Sequence, residues 1–291
     1  NTGKRTRVVS GPADAVHALC YSPDGRTLAV GGGVPTASGQ TLLVDTASGK
    51  TVRTLGEHTD PVYAVAWLDG GRRLVTASGD KTLRLWNPAT GACLKVLKDH
   101  ADAVYGVAVT PDGARLVSTG VDRSIKVWDA RTGKALFTFS GRAHADTAYT
   151  LHFSPDGGRL LSAGGDRVAR MWTVGDDPES TRVYRTLEGH GDAVHAAAFS
   201  PDGLYVATAS ADRSVGLWNG PGGGFLRSLD GARDWVYAVA FSPDSHRVAA
   251  GTYDGAALEW DPATGALLRT FPTDADTASA APQPPTSPQK L

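Results

Sequence analysis

The sequence predicts an all-β fold, a propeller-like ring of four-stranded antiparallel blades, and two observations predict it. First, a phrase of Asp-x-Val-Tyr or Asp-x-Val-His, leading into a short apolar run and then Ser-Pro-Asp-Gly, recurs with little variation from Asp14, Asp60, Asp102, Asp146, Asp192 and Asp234. Its spacings of 46, 42, 44, 46 and 42 residues match one four-stranded blade per repeat. Second, each repeat divides into short runs rich in Val, Leu and Phe, separated by Gly, Pro and Asp turn residues. Such runs are too short for amphipathic helices.

The third repeat serves as the template. Residues 103–110 form its inner strand a, followed by the Pro-Asp-Gly turn at 111–113 and strand b at 115–119. A turn around Asp122 leads to strand c at 124–128, and Arg-Thr-Gly at 131–133 to the outer strand d at 134–139. Repeats of this kind wrap from one blade to the next, because no single unit buries both of its faces alone. Six a–b–c sets predict six blades. Seven outer-strand candidates are visible, from residues 6–10 to residues 266–271, so the alternative is an incomplete seven-bladed ring whose missing unit lies upstream of Asn1. The propeller is assigned residues 1–271, and residues 272–291, rich in Pro, Ala, Ser and Thr, are expected to be a disordered tail.

Charge and composition narrow the function classes. With 29 Lys+Arg against 30 Asp+Glu, the net charge of -1 supplies no general attraction to nucleic acid or to an anionic membrane, so neither partner is expected. No apolar run approaches membrane-spanning length and no signal-peptide pattern opens the chain, which reads as soluble, with a cytoplasmic setting favoured. Cys20 and Cys93 show no metal-binding spacing and read as two packed thiols. No cofactor or metal is expected. Asn1 in place of Met suggests a processed or domain-only chain, with a further domain fused upstream.

Strand c closes on Trp128-Asp129 and Trp260-Asp261, softened to Trp86-Asn87, Trp218-Asn219 and Trp172-Thr173, and His58, His100, His144 and Gly189-His190 stand ahead of strand a. In these motifs the chain resembles the WD40-repeat β-propeller family, over about residues 5–271. The resemblance implies a buried network of His, Ser or Thr, Asp and Trp in each blade. By position, His58, Ser78, Asp80 and Trp86 complete it in the second unit, and His190, Ser210, Asp212 and Trp218 in the fifth. The third unit keeps His100, Asp122 and Trp128 with Gly120 in the hydroxyl position, and the fourth keeps His144, Asp166 and Trp172 with Gly164. Thr252, Asp254 and Trp260 stand in the sixth unit with Arg233 replacing His, while Gly11-Pro12 and Val44 remove the network from the first. A His–Asp–Ser trio invites a hydrolase reading, but its recurrence in several units points to structure.

Four segments call for a reading of their own. Residues 31–40 insert a Gly-rich stretch between strands b and c of the first unit, read as a flexible turn. Asp176, Asp177, Pro178 and Glu179 lengthen the fourth unit with a solvated acidic turn. Gly49-Lys50-Thr51 resembles the end of a phosphate-binding loop, but Val44 stands where that motif requires Gly, so it reads as a c–d turn. Pro282, Pro285 and Pro288 in the tail fit a P-x-x-P spacing.

The resemblance further implies partner binding on the face carrying the d–a and b–c loops, at the mouth of a central channel. The first outward residues of strand a there are His17, Tyr63, Tyr105, Tyr149, His195 and Tyr237, expected as a ring of one per blade. Trp235 breaks the repeat pattern, since the other units carry Ala, Pro or Thr in its place, and Tyr253 precedes the network Asp of its blade. Aromatic side chains with a polar tip make binding hot spots. The expected function is a non-catalytic platform for a protein or peptide, within a larger bacterial-type protein. The alternative is a propeller enzyme of lactonase or hydrolase type, with channel His17 and His195 as acid/base groups or ligands.

Overall fold

The computed structural model describes residues 8–9, 11–12, 14–139 and 143–271. Every expected inner, middle and outer strand from residue 15 onward is present. The first blade comprises β1 (Ala15–Tyr21), β2 (Thr27–Val34), β3 (Ser38–Asp45) and β4 (Thr51–His58), and the second β5 (Val62–Leu68), β6 (Arg73–Ser78), β7 (Thr82–Trp86) and β8 (Cys93–Lys98). The third holds β9 (Val104–Val109), β10 (Arg115–Gly120), β11 (Ile125–Asp129) and β12 (Ala135–Thr138); the fourth β13 (Ala148–Phe153), β14 (Arg159–Gly164), β15 (Ala169–Thr173) and β16 (Arg182–Leu187). The fifth is β17 (Val194–Phe199), β18 (Tyr205–Ser210), β19 (Val215–Asn219) and β20 (Phe225–Leu229), and the sixth β21 (Val236–Phe241), β22 (Val248–Thr252), β23 (Ala257–Trp260) and β24 (Leu267–Phe271).

Each blade is a four-stranded antiparallel sheet with its strands in sequence order, and the six blades form a ring. The first strand of every blade lines the central channel. Among the described residues the one helical element is a short turn at Asp69–Gly71, and no helix is long and apolar enough to cross a membrane.

Burial explains the apolar runs. A middle strand such as β6 is covered on both faces, so Leu74, Val75, Thr76, Ala77 and Ser78 are all buried and the run does not alternate. Outer strands such as β8 touch the ring on one side and carry Lys95 and Lys98. Five apolar clusters join successive blades; between the second and third, Val75, Leu83 and Leu85 meet Val104, Val107, Leu116 and Trp128. Each fully buried Val or Leu contributes about 1.5–3 kcal/mol, so these seams supply most of the stability.

The seam between the sixth and first blades differs. Inner strands pack on one another from β1 through β21, but among the described residues β21 and β1 do not pack on each other in this way. Val16, Leu19 and Tyr21 of β1 are 48%, 63% and 63% exposed, whereas Val62 and Val104, at the place of Val16, are fully buried. The sixth cluster, Val30, Leu42 and Val44 with Leu28 and Val9, lies within the first blade and the segment before it. Opposite, the sixth blade places Glu259, bonded to Arg247 at 2.9 Å, where other blades bury Leu85 or Val127. One wall of this seam is therefore apolar and the other polar. Lacking a covered neighbour, β1 opens at lower cost than the other inner strands. Its amides are expected to exchange at least about tenfold faster than those of β5 or β17 in native-state hydrogen exchange. Equal protection would break the link between seam packing and local stability.

Several expectations are corrected or placed. Residues 31–40 are no flexible loop: they lengthen β2 and β3 into a hairpin paired from Gly31↔Thr41 to Val34↔Ser38, with a tight turn at 35–37. The Thr36 N–H donates to Asp60 at 2.7 Å, which pins the hairpin tip to the second blade. The acidic turn is held rather than merely solvated, because Arg115 donates to the Gly175 carbonyl at 3.0 Å and to Asp176 at 2.6 Å. Of the outer-strand candidate at residues 6–10, only Val8 and Val9 are described, and neither is in a strand; β24 is the outer strand of the sixth blade. The tail at residues 272–291, with its P-x-x-P spacing, lies outside the described residues. Gly49 sits in the β3–β4 turn as expected, its N–H donating to Asp45 O at 2.7 Å, and both cysteines are free thiols.

Candidate functional site: the channel mouth

A bulge in every inner strand builds the mouth. In β5, Val62 pairs with Ser78 and Ala64 with Ala77, so Tyr63 has no opposite residue. The same step leaves out His17, Tyr105, Tyr149, His195 and Tyr237 in their blades. A bulge bends its strand and re-aims the extra side chain. All six bulge residues line one channel.

Their rings form a continuous arc. His17 lies 4.9 Å from Tyr63, Tyr63 4.5 Å from Tyr105, Tyr105 5.9 Å from Tyr149, Tyr149 5.1 Å from His195 and His195 4.5 Å from Tyr237, between centroids. The arc runs from the first blade to the sixth, and among the described residues no ring contact closes it across the loose seam. Burial, reinforced by nearby carboxylates, pushes the phenols of Tyr105, Tyr149 and Tyr237 up, and Tyr63 shifts the same way. Burial also lowers the His17 and His195 imidazoles, opposed by Asp14 and Asp192. At neutral pH the arc is thus uncharged, and its polar tips sit in a field of aspartates, one per blade.

At the sixth blade the arc widens into a trio. Trp235 stands 6.3 Å from Tyr237 and 6.0 Å from Tyr253, and the two tyrosines are 5.9 Å apart. The Tyr253 N–H donates to the Trp235 carbonyl at 2.9 Å, tying the b–c turn to the d–a loop. These three side chains are 44%, 41% and 50% exposed, which a packing role does not require.

Below this surface lie the buried networks, and here the sequence expectation is corrected. In the second blade His58 Nδ1–H donates to Asp80 at 2.7 Å, and the hydroxyl bridging His58 Nε2 (2.7 Å) and Trp86 Nε1 (2.8 Å) belongs to Thr76, not Ser78. Ser78 instead donates to the Asp60 carbonyl at 2.7 Å and accepts from Asp80 N–H. The fifth blade repeats this with Thr208 as the bridge and Ser210 on Asp192 O. Ser118 and Ser162 bridge in the third and fourth blades, joining His100 to Trp128 and His144 to Trp172, so those networks are complete despite Gly120 and Gly164. A Cβ at Gly120 would lie 2.0 Å from the Ala103 carbonyl, so that glycine answers to backbone contact and not to a lost hydroxyl. Strand residues two apart share a face, which is why the neighbouring position looked equivalent. The usable signal was spacing: a hydroxyl stands 18 residues after each of the four histidines.

Burial opposes ionisation of Asp80, yet hydrogen bonds from His58 and Thr82 outweigh it and hold its carboxyl at about 2; Asp122 and Asp166 shift the same way. In the sixth blade Ala250 replaces the bridging hydroxyl, and Trp260 donates to the Asp230 carbonyl at 2.9 Å instead of joining Thr252. Thr252 bonds Asp254, and no bond joins Arg233 to Asp254 among the described residues. The first blade has Val30 in the hydroxyl position and no network, as expected.

A ring of four-stranded blades, four of them tied by His–hydroxyl–Trp bridges, with aromatic side chains at the channel mouth, defines a repeat propeller. The family model described as "WD domain, G-beta repeat" matches residues 3–33, 49–87, 91–129, 133–173, 181–219 and 223–261. The chain belongs to the WD40-repeat family. Among curated relatives, WD repeat-containing protein 1 of Xenopus tropicalis is 40% identical over 77 residues, 25% of this chain and 12% of that protein. Actin-interacting protein 1 of Drosophila melanogaster is 42% identical over 73 residues, 24% and 11% of the two chains. The intraflagellar transport protein 122 homolog of Danio rerio is 35% identical over 71 residues, 24% and 6%. The matched segment spans 12% or less of these relatives' own length. All three are eukaryotic and give no support to a bacterial-type origin.

Proposed function

We propose that the chain is a non-catalytic interaction platform that seats a protein or peptide segment across the channel mouth. The observation that carries this reading is the convergence of six bulge residues into one aromatic arc that ends in the exposed trio of Trp235, Tyr237 and Tyr253. Such surface supplies contact area at low conformational cost, and the arc gives an extended segment a continuous track from Tyr63 and Tyr105, past Tyr149 and His195, to Trp235. A relative whose name states that it interacts with actin fits the same class of function. The enzyme reading has weaker support: among the described residues His17 and His195 have no ring contact with each other, His17 lies against Tyr63 and His195 between Tyr149 and Tyr237, and no cluster of metal-ligating side chains stands at the arc.

Truncating a buried anchor in a complex costs about 2 kcal/mol or more of binding, whereas rim changes cost little. Trp235→Ala is therefore expected to lose capture of partner proteins by the immobilised chain while its melting temperature stays near that of the parent. Unchanged capture, or a large loss of stability, would move the binding face elsewhere.

A further inference from the structure

On the face opposite the channel mouth, the residue that opens strand b latches each blade to the next. Arg73 pairs with Asp69 and donates to the Ala130 carbonyl of the third blade at 2.6 Å; Arg115 donates to the Gly175 carbonyl of the fourth blade at 3.0 Å and to Asp176 at 2.6 Å. Arg159 stacks 3.3 Å from the centroid of Tyr184, whose hydroxyl donates to the Pro221 carbonyl of the fifth blade at 3.3 Å. Tyr205 packs into the cluster between the fifth and sixth blades. Three guanidiniums and one phenol thus fill four successive grooves. In the first blade the same position is Thr27, too short to cross, and the groove between the first and second blades stays open with a volume of about 240 Å³.

The open groove keeps the chemistry that its neighbours use internally. Trp67, Val52, Pro88 and Asp24 line it, and Pro88 stands in the second blade where Ala130 stands in the third. The second blade's turn reads Leu68-Asp69-Gly70-Gly71 in place of Ser-Pro-Asp-Gly, so the lip on that side is backbone, and a Cβ at Gly70 would meet no atom within 4 Å. Asp24 accepts on Oδ1 from the Ser22 hydroxyl at 2.6 Å and the Arg26 N–H at 3.0 Å, bonds that hold its carboxyl below the usual range. Among the described residues no salt bridge reaches Asp24, and the Arg26 side chain acts on it only at longer range. Arg53 holds the Ala89 and Thr90 carbonyls from the β4 side, at 2.7 and 3.0 Å. Lys95 lies against Gly133 in the next groove alongside Arg73, so two cations at one groove is an arrangement this fold already holds. The volume is below the roughly 300–1,000 Å³ of sites for drug-sized molecules and suits a single side chain.

We propose that this groove seats an arginine side chain of a partner segment, its methylene stem along Val52 and Pro88 and its guanidinium against the Trp67 indole, paired with Asp24. A planar guanidinium stacks on an indole and pairs with a carboxylate through parallel N–H groups, whereas an ammonium is a compact, strongly hydrated point charge. Within this molecule the equivalent grooves are filled by arginine at Arg73, Arg115 and Arg159, and by lysine at none. The groove lies on the face away from the channel mouth, so partner capture at the mouth and binding here are separate properties.

The test titrates the isotope-labelled full chain with alanine-flanked peptides whose central residue is arginine, citrulline or lysine, and follows the indole N–H signal of Trp67, assigned from its loss in Trp67→Phe. The arginine peptide is expected to shift that signal and to bind at least about tenfold more tightly than the citrulline peptide, which keeps the planar shape without the charge. Asp24→Asn, which still accepts from Ser22 and Arg26, is expected to remove most of that preference. Thr27→Arg is expected to supply the latch from within, raising the melting temperature and abolishing the shift. Equal binding of the arginine peptide and either of the other two, an unmoved Trp67 signal, or undiminished binding by a folded Thr27→Arg overturns the proposal. Should Thr27→Arg not fold, Asp24→Asn decides it, because that side chain is exposed and the substitution changes only its charge; an unchanged preference there overturns the proposal too.

Discussion

Trp86→Ala is expected to cost about 3–5 kcal/mol of folding free energy, read as a lower denaturation midpoint at unchanged slope. Two effects add. The indole is fully buried between the first and second blades, in a cluster with Leu43, Leu55, Val62 and Leu74, so its removal leaves a cavity that a rigid strand environment closes only in part. Its Nε1–H also donates to Thr76, so truncation takes one donor from a buried hydroxyl. Trp235→Ala, at an exposed site, serves as the matched control. A loss of under about 1 kcal/mol for Trp86→Ala would mean that the seam collapses around the gap and that blade packing is not the main source of stability.

Thr76→Val is expected to cost about 2–4 kcal/mol although it conserves shape and removes no apolar contact. Asp80 accepts from His58 Nδ1–H, which leaves Nε2 as an acceptor for the Thr76 hydroxyl, while the same oxygen accepts from Trp86. Every group has one role, and valine would orphan a buried nitrogen on each side of the bridge. Ser78→Ala, two residues on, removes a bond to the Asp60 carbonyl at the edge of a loop and is expected to cost about 1 kcal/mol. Thermal or denaturant unfolding of the pair separates the two positions. The reverse order, or equal losses, would return the bridging role to Ser78.

That pair shows where the repeats were legible and where they were not. Turn residues and spacing marked all six blades, and the boundaries in the third unit agree with β9 to β12 within a residue or two, because period and turn chemistry are local properties. Trp235 stood out because it broke a repeated pattern, and the structure places it on the surface beside Tyr237 and Tyr253. The choice between Thr76 and Ser78 was not legible one blade at a time, since both side chains lie on one face of β6 and only the approach of His58 from β4 selects between them. The insertion at 31–40 misled for a related reason: glycines that read as a flexible turn are strand residues where the backbone of another element comes close, as at Gly39, whose Cβ would lie 1.9 Å from the Asp60 carbonyl.

What the sequence by itself determined is the repeat, its four strands, and the set of aromatic, histidine and tryptophan positions that recur with it. Tertiary structure alone decided three things: that a bulge turns one side chain per blade into the channel, that the first and sixth blades meet loosely, and that Trp235, Tyr237 and Tyr253 come together at the sixth blade. The division has a physical cause. Strand and turn preferences act between residues near in sequence, whereas bulges, seams and ring contacts depend on partners brought close only when the blades assemble into the ring.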